Sequence, residues 1–390
     1  MGKPHHLSTR AVHAGREDLT DLGVHAVPLD LSTTYPSRDM EGEAARLDML
    51  VTGQRDDGPP VYGRVGNPTV SRFEEALASL ESCEAAVAFA SGMAALSACL
   101  LAVAAEGKPH IVAIRPMYGT TDFLLESGLL GVTTTFVEPD GVADAIQEDT
   151  GLVILESPVN PTLNEVDIRA IATACGEVPL LVDNTFATPI LQRPTELGAS
   201  IVLHSATKFL GGHGDVLAGV VACSEEFARG VRNVRYATGG MLHPLSGYLL
   251  LRGLSTLPIR MRAASENARI LAERLQEHPS ISKVYYPGLN PDRPTNQMEG
   301  GGAMVSFEVT GDPGAVIGGV KLITPAVSLG SVDTLIENPA AISHHIMEPE
   351  VRREIGISDK LLRMSVGIEH VDDIWNDLVQ ALEGMPSADQ

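Results

Sequence analysis

The sequence predicts an α/β fold in which a mostly parallel sheet, covered by helices on both faces, is followed by a smaller C-terminal α+β domain. Short, near-continuously apolar and β-branched runs recur from residue 85 to residue 206. Helical stretches separate several of them, and beyond about residue 255 the runs become alternating instead of continuous. Strands buried on both faces read as unbroken apolar runs, and their regular alternation with helices implies parallel crossovers.

In order along the chain, residues 1–60 are rich in turn formers and charge. Within them EGEAARLDMLVTGQRDDGPP predicts a short helix and then a loop ending at Pro59-Pro60, an arm that needs another surface to pack on. Residues 61–256 form the expected large domain. PTVSRFEEALASLE places Val70, Phe73, Leu77 and Leu80 on one helical face, with Thr69 as an early cap. AAVAFAS is a buried strand, and SGMAALSACLLAVAA is a helix with Gly92 at its start. HIVAIRP, TTTFVEP, GLVILESP, VPLLVDN and SIVLHSAT continue the strand series. Residues 257–390 form the second domain, with a helix from Arg260 to His278 stopped by Pro279 and strands at AMVSFEV and LRMSVGI.

The chain has 390 residues, enough for two large units. Its 28 Lys and Arg against 50 Asp and Glu give a formal charge of −22, which repels phosphate backbones and anionic lipids and argues against nucleic acid or a membrane surface as a main partner. Cys83, Cys99, Cys175 and Cys223 are scattered without a C-x-x-C pair, so neither a disulfide framework nor a structural zinc site is expected. MGKPHHLSTRAVHAG carries no apolar signal segment, and no run reaches membrane-span length; a cytoplasmic protein with reduced thiols is expected.

Ligands of parallel α/β sheets bind beyond the carboxyl ends of the strands, so the residues following each run are the candidates. Asp183 follows VPLLV; it fits a cap on the next turn as well as a partner for an arginine or for a cationic ring nitrogen. Lys208 follows SIVLHSAT. It fits a solvated lysine at a sheet edge equally well as a desolvated nucleophile suited to Schiff-base chemistry, flanked by the hydroxyls of Ser205 and Thr207. Gly92-Met93 at a helix start suits a phosphate, although one glycine is also an ordinary turn. Tyr118 could stack on a planar ligand or lie half-buried in the core. His344-His345 are adjacent, point apart, and make a poor metal pair; no metal is expected. The sequence lacks G-x-G-x-x-G after its first strand, a P-loop, a G-x-S-x-G elbow and H-E-x-x-H. A phosphate cradle, a stacking aromatic, an aspartate and a strand-end lysine, in that order, together fit pyridoxal 5′-phosphate (PLP).

VYGRVGNPT (61–69), FASGMAA (89–95), MYGTT (117–121), ESPVNP (156–161), VDNTF (182–186), SATKFLGGHGD (205–215), VSLG (327–330) and LRMSVGIE (362–369) resemble the Cys/Met-metabolism PLP enzymes, which include methionine γ-lyases, cystathionine γ-lyases, cystathionine γ-synthases and O-acyl-homoserine sulfhydrylases. The resemblance implies the aspartate-aminotransferase (type I) fold with a seven-stranded sheet, and a homotetramer made of two tight dimers. It implies that Lys208 is the Schiff-base lysine, that Asp183 holds the pyridine nitrogen, and that Gly92, Met93, Ser205 and Thr207 contact the phosphate. It further implies that Tyr62 and Arg64 reach the phosphate of the neighbouring subunit, with residues 1–60 packing on that neighbour. Tyr118 matches the ring-stacking tyrosine that can protonate a leaving sulfur, and Asn160 a residue beside the cofactor's phenolic oxygen. Arg363, helped by Ser328, matches the clamp for the substrate α-carboxylate.

Where cystathionine-cleaving relatives tend to carry glutamates, this chain has Val61 and Val327, which suit an apolar thioether tail. The expected reaction is γ-elimination of L-methionine, or a related homocysteine thioether, to methanethiol, 2-oxobutanoate and ammonia. Cystathionine γ-lyase or γ-replacement chemistry is the alternative, and a non-catalytic binding scaffold is the reading from another class. Thr120 stands where methionine γ-lyases typically have cysteine, and Arg235-Tyr236 where they have a Lys-Asp pair in a loop facing the partner.

Overall fold

The computed structural model describes residues 5–55, 58–294, 296–345 and 347–385. Asp56 and Asp57, in the loop expected before Pro59-Pro60, lie outside the described residues. Seven strands form the larger sheet: β1 (Ala85–Phe89), β2 (His110–Ile114), β3 (Thr133–Val137), β4 (Thr150–Glu156), β5 (Leu180–Asp183), β6 (Ile201–His204) and β7 (Gly219–Cys223). They lie side by side in the order β1-β7-β6-β5-β4-β2-β3. β3, β2, β4, β5 and β6 pair in parallel, whereas β7 runs antiparallel to both β1 and β6. The apolar runs located six of these strands. β7, the sequence GVVAC, is the seventh strand that the family resemblance implied.

Burial explains the runs. β1, β2, β4, β6 and β7 are buried along their whole length, and only the edge strand β3 is half-open. One face is covered by the helix Pro68–Glu81 and by part of the long helix Pro244–Gln276; the other is covered by Gly92–Ala105 and Glu225–Thr238. Phe73, Leu77, Leu80, Leu96 and Leu100 are fully buried there, each contributing about 1.5–3 kcal/mol of transfer free energy.

Two helix boundaries differ from expectation. Asn67, not Thr69, caps the helix Pro68–Glu81, accepting from the amides of Thr69 and Val70 at 2.9 and 3.2 Å. Proline at the first helical position puts the cap one residue before it. The second helix begins at Pro244, not Arg260, and runs for 33 residues. Pro258 inside it cannot donate its hydrogen bond, and the burial of Leu257, Pro258 and Met261 offsets that loss.

The far end of this long helix packs on the second sheet, made of β8 (Ile281–Tyr285), β9 (Met304–Val309), β10 (Thr324–Pro325), β11 (Leu335–Glu337) and β12 (Leu361–Ser365) in the order β10-β11-β12-β9-β8. Apart from β10 with β11, its pairs are antiparallel. The helix Val371–Glu383 closes this second core. Near the N-terminus, the helix Leu7–His13 packs on the long helix of its own chain, while Met40–Val51 buries no side chain fully. All four cysteines are free thiols. Among the described residues no helix is long and apolar enough to cross a membrane, and no cluster of His, Cys, Asp and Glu could hold a metal.

Candidate active site

The carboxyl ends of β5 and β6 deliver two of the singled-out residues. Asp183 is the last residue of β5, and its Oδ1 accepts from the Thr185 amide at 3.0 Å and from the Thr185 hydroxyl at 2.5 Å. The same Thr185 oxygen accepts from the Ser205 amide at 2.9 Å, so one threonine ties the β5 end to the loop after β6. Burial raises the Asp183 carboxyl above its ordinary value, and the bonds from Thr185 pull the other way. Lys208 lies in that loop, and its Nζ donates to Ser328 Oγ at 2.7 Å. Burial, reinforced by the charge of Arg363 and opposed by Glu337, pulls its amine down to about 8.

Gly92 opens a 14-residue helix whose cap, Ser91, accepts from the Ala94 amide at 3.1 Å. The amides of Gly92 and Met93 are therefore first-turn donors at the positive end of the helix dipole. A Cβ at Gly92 would stand 3.2 Å from Ser205 Cα and Cβ and 3.4 Å from its hydroxyl. Glycine thus brings the helix start against Ser205 and leaves a cradle that a side chain would fill. The Thr207 hydroxyl donates to the Ala218 carbonyl at 3.1 Å and accepts from the Ala218 amide at 2.9 Å, which leaves it a lone pair for a ligand but no proton.

Tyr118 caps the helix Gly119–Ser127, and Thr120 lies on that helix's first turn, partly buried. The Tyr118 amide donates to Glu156 Oε2 at 2.9 Å, and the Asn160 amide to Glu156 Oε1 at 2.7 Å. Glu156 ends β4 in register with Asp183 on β5. Burial first, and the Asp183 charge second, push Glu156 up to about 8, while the two amides oppose the shift.

The opposite wall comes from the second sheet. Arg363 on β12 and Glu337 on β11 are register partners, 3% and 1% exposed, and pair at 2.7 Å through Nη2 and Oε1. Arg363 also donates from Nη1 to Asn160 Oδ1 at 2.7 Å and from Nη2 to the Ser328 carbonyl at 3.2 Å. Ser343 donates to Glu337 Oε1 at 2.8 Å. Beside it, burial and the charge of Arg363 hold His344 down at about 4, so this buried imidazole is neutral, while its neighbour His345 is exposed. Ser328 has φ 121°, a conformation that L side chains rarely adopt. At Gly330, φ is 83°, and a Cβ would strike the Phe209 amide and approach the Lys208 carbonyl carbon to 2.8 Å.

Lys208, Ser328, Arg363, Asn160, Glu156 and Tyr118 therefore form one continuous chain of contacts, with Asp183 and Ser205 joined through Thr185. Tyr62 and Arg64 stand apart. Tyr62 bridges to Thr34, and Arg64 donates to the Tyr236 carbonyl at 2.8 Å with its guanidinium 4.6 Å from the Tyr236 ring centroid. Among the described contacts neither meets Ser205, Thr207 or Lys208 of the same chain. Val61 is 9% exposed and Val327 58%. Arg235-Tyr236, expected in a loop, are in the last turn of the helix Glu225–Thr238; Arg235 is buried against Glu74 at 2.6 Å and the Ala88 carbonyl. The stretch EEFARGVRNVRYAT places Ala228, Val231 and Arg235 on one face, which carries the helix through them.

Sequence reading singled out neither Thr185, Glu156 nor Glu337 as a site residue. Glu156 had a visible signal, since it ends GLVILE as Asp183 ends VPLLVD. Glu337 had none, because only the β11–β12 register brings it to Arg363.

These residues fit PLP: a cradle with helix-start amides and the Ser205 hydroxyl for a phosphate, a buried carboxylate for a ring nitrogen, and a desolvated amine on the same loop as Ser205. Site and sheet define a PLP-dependent enzyme of the aspartate-aminotransferase type. The profile of the Cys/Met metabolism PLP-dependent enzymes matches residues 8–383, and the chain belongs to that family. It is 64% identical over 377 residues to an L-methionine gamma-lyase of Streptomyces avermitilis, covering 96% of this chain and 89% of the relative. It is 50% identical to an L-methionine gamma-lyase of Brevibacterium aurantiacum, covering 98% and 96%. Among solved structures, a cystathionine gamma-lyase from Lactobacillus plantarum complexed with L-serine superposes with a TM-score of 0.88 at 35% identity, covering 98% and 99%.

Proposed function

We propose that this chain catalyses the γ-elimination of L-methionine: methionine and water give methanethiol, 2-oxobutanoate and ammonia. The observation that carries the chemistry is the Lys208 amine, pulled down to about 8 and held 2.7 Å from Ser328 Oγ, within the contact chain that ends at Tyr118. The likeness to L-methionine gamma-lyases, at 64% and 50% identity, supports the choice of substrate.

Lys208 would hold the cofactor through Nζ, Asp183 its ring nitrogen, and Gly92, Met93 and Ser205 its phosphate, with Thr207 adjoining. Asn160 would lie beside its phenolic oxygen and Tyr118 against its ring. Bound PLP supplies a carbonyl for the substrate amine and a cationic ring that accepts the electron pair left at Cα. Arg363 binds the substrate α-carboxylate as a fork, with Ser328 beside it. Lys208 Nζ, neutral once freed, would take the proton from Cα, hand it on to the carbon that bears the cofactor's carbonyl, and so be neutral again to take the next one from Cβ. Tyr118 Oη gives its proton to the departing sulfur. Val61, Val327 and Thr120 would line the place of the methylthio tail, Val61 in whichever subunit's site Tyr62 serves; neither valine offers a charge to a second amino-acid group.

The helix Met40–Val51, with no fully buried side chain, and the contacts of Tyr62 and Arg64, none of which is with their own Lys208 among the described residues, support an arm, residues 1–60, that serves a neighbour; the family resemblance makes that assembly a tetramer of two dimers. The same reading divides the remainder into a cofactor-binding domain, 61–256, and a C-terminal domain, 257–390.

The test is 2-oxobutanoate release by the PLP-loaded protein from L-methionine and L-cystathionine at equal concentration. Faster release from methionine is expected, and Lys208→Ala should retain below about a thousandth of it. Faster release from cystathionine would make the chain a cystathionine γ-lyase. Release from neither, with a thioether formed from O-acyl-homoserine and a thiol, would make it a γ-replacement enzyme.

A further inference from the structure

We propose that Glu156 is a positioning residue, a single buried carboxylate that clamps the backbone at Tyr118 to the backbone at Asn160 and so fixes the stacking tyrosine relative to the Arg363 clamp. This rests on the reading of Tyr118 and Arg363 given above.

The geometry assigns each oxygen a separate task. Oε2 accepts from the Tyr118 amide at 2.9 Å, and Oε1 from the Asn160 amide at 2.7 Å. The two amides belong to different loops, one following β2 and one following β4. Asn160 passes the constraint on, because its Oδ1 takes Arg363 Nη1 at 2.7 Å. Tyr118 has no side-chain capping bond at the head of its helix, so the Glu156 contact anchors it from outside that helix.

The arrangement is a costly one to keep. Glu156 is 7% exposed, ends its strand level with the Asp183 carboxylate, and among the described residues forms no ion pair. Burial beside a like charge disfavours an ionised carboxylate, which its raised value near 8 reflects. Glutamine has the same shape but turns an NH2 group, a donor, toward one of the two amides, so in this geometry it could serve Tyr118 or Asn160, not both.

The test uses E156Q loaded with PLP beside the parent enzyme. The readouts are the circular dichroism of the cofactor's visible absorption band, kcat and KM for L-methionine taken separately, and thermal unfolding. The expected result is unchanged cofactor stoichiometry, loss of most of the induced dichroism, and kcat/KM lowered about 10–100-fold, with KM raised. Parent-like dichroism and kcat/KM within about twofold, even with a lower unfolding temperature, would overturn the proposal and leave Glu156 a structural role only. The dichroism needs only bound cofactor, so an enzyme that binds PLP yet ignores methionine fails the functional reading without touching this one. Should E156Q not fold, amide hydrogen exchange on the parent decides: protection of the Tyr118 and Asn160 amides equal to that of β4 supports the clamp, and exchange of either at the rate of an exposed loop overturns it.

Discussion

The ends of β4, β5 and β6 and the segment from Ser328 to His344 belong to one network of contacts, and they are built in opposite ways. On the strand-end side Asp183 and Glu156 are placed as the last residues of buried central strands, and Asp183 keeps its hydrogen bonds local, to Thr185. On the other side the groups are placed by one another: Arg363 by Glu337 and Asn160, Glu337 by Ser343, Ser328 by a strained backbone. The first side offers a cradle, a carboxylate and an amine to a cofactor. The second offers a buried guanidinium to a carboxylate. On the proposed function, the difference corresponds to two tasks, holding the cofactor and orienting the substrate, one on each side of the Lys208–Ser328 contact.

The strongest challenge to that separation is Arg363→Ala. It removes the proposed carboxylate fork and leaves Glu337 buried without its cation, a loss of about 3–5 kcal/mol for a broken buried pair. kcat/KM for methionine should fall about 10³-fold while the amount of PLP bound at saturation by the cofactor-free protein stays at the parent level. A comparable fall in that amount, measured by absorbance, would mean that the two sides act as one.

A pH series on the strand-end side has a smaller effect. Lys208 is held below its ordinary range because burial and Arg363 penalise its charged form, so the neutral amine that attacks the PLP aldehyde dominates above about 8. The capture rate should climb about tenfold per pH unit below that value and level off above it. In Arg363→Ala the midpoint should move upward, since a charge that lowers it is gone. A midpoint unmoved from that of free lysine would break the assignment of Lys208 as a desolvated nucleophile.

Val327→Glu should do least. The half-open position beside Ser328 gains a charge able to meet a distal ammonium, and the ratio of methionine to cystathionine kcat/KM should drop about tenfold, with the cofactor dichroism unchanged. An unchanged ratio would remove Val327 from the specificity argument.

The two sides also differ in how readily the sequence discloses them. A polar residue closing an apolar run is visible, and Asp183 and Lys208 were found that way; Glu156 carries the same mark and escaped only because it stood inside a motif read for its asparagine. Nothing local marks Glu337, whose role exists only through the pairing of β11 with β12. β7 was missed by pattern because GVVAC follows directly on a glycine-rich loop, and the long helix was cut short because a proline inside a helical pattern reads as a boundary. Packing overrode that local preference at Pro258.

Gly330 joins the two sides at their backbones, and it has a consequence for how this gene can vary. Any side chain there pushes into the peptide of Lys208 and Phe209, and the left-handed φ adds strain of its own. The position accepts one letter of the amino-acid alphabet. Ser328 and Lys208 are 120 residues apart in the chain yet bonded in space. A chimaera of this chain with a distant relative, joined anywhere between them, must inherit two segments that already match, so crossover points outside that interval are the ones expected to yield folded hybrids.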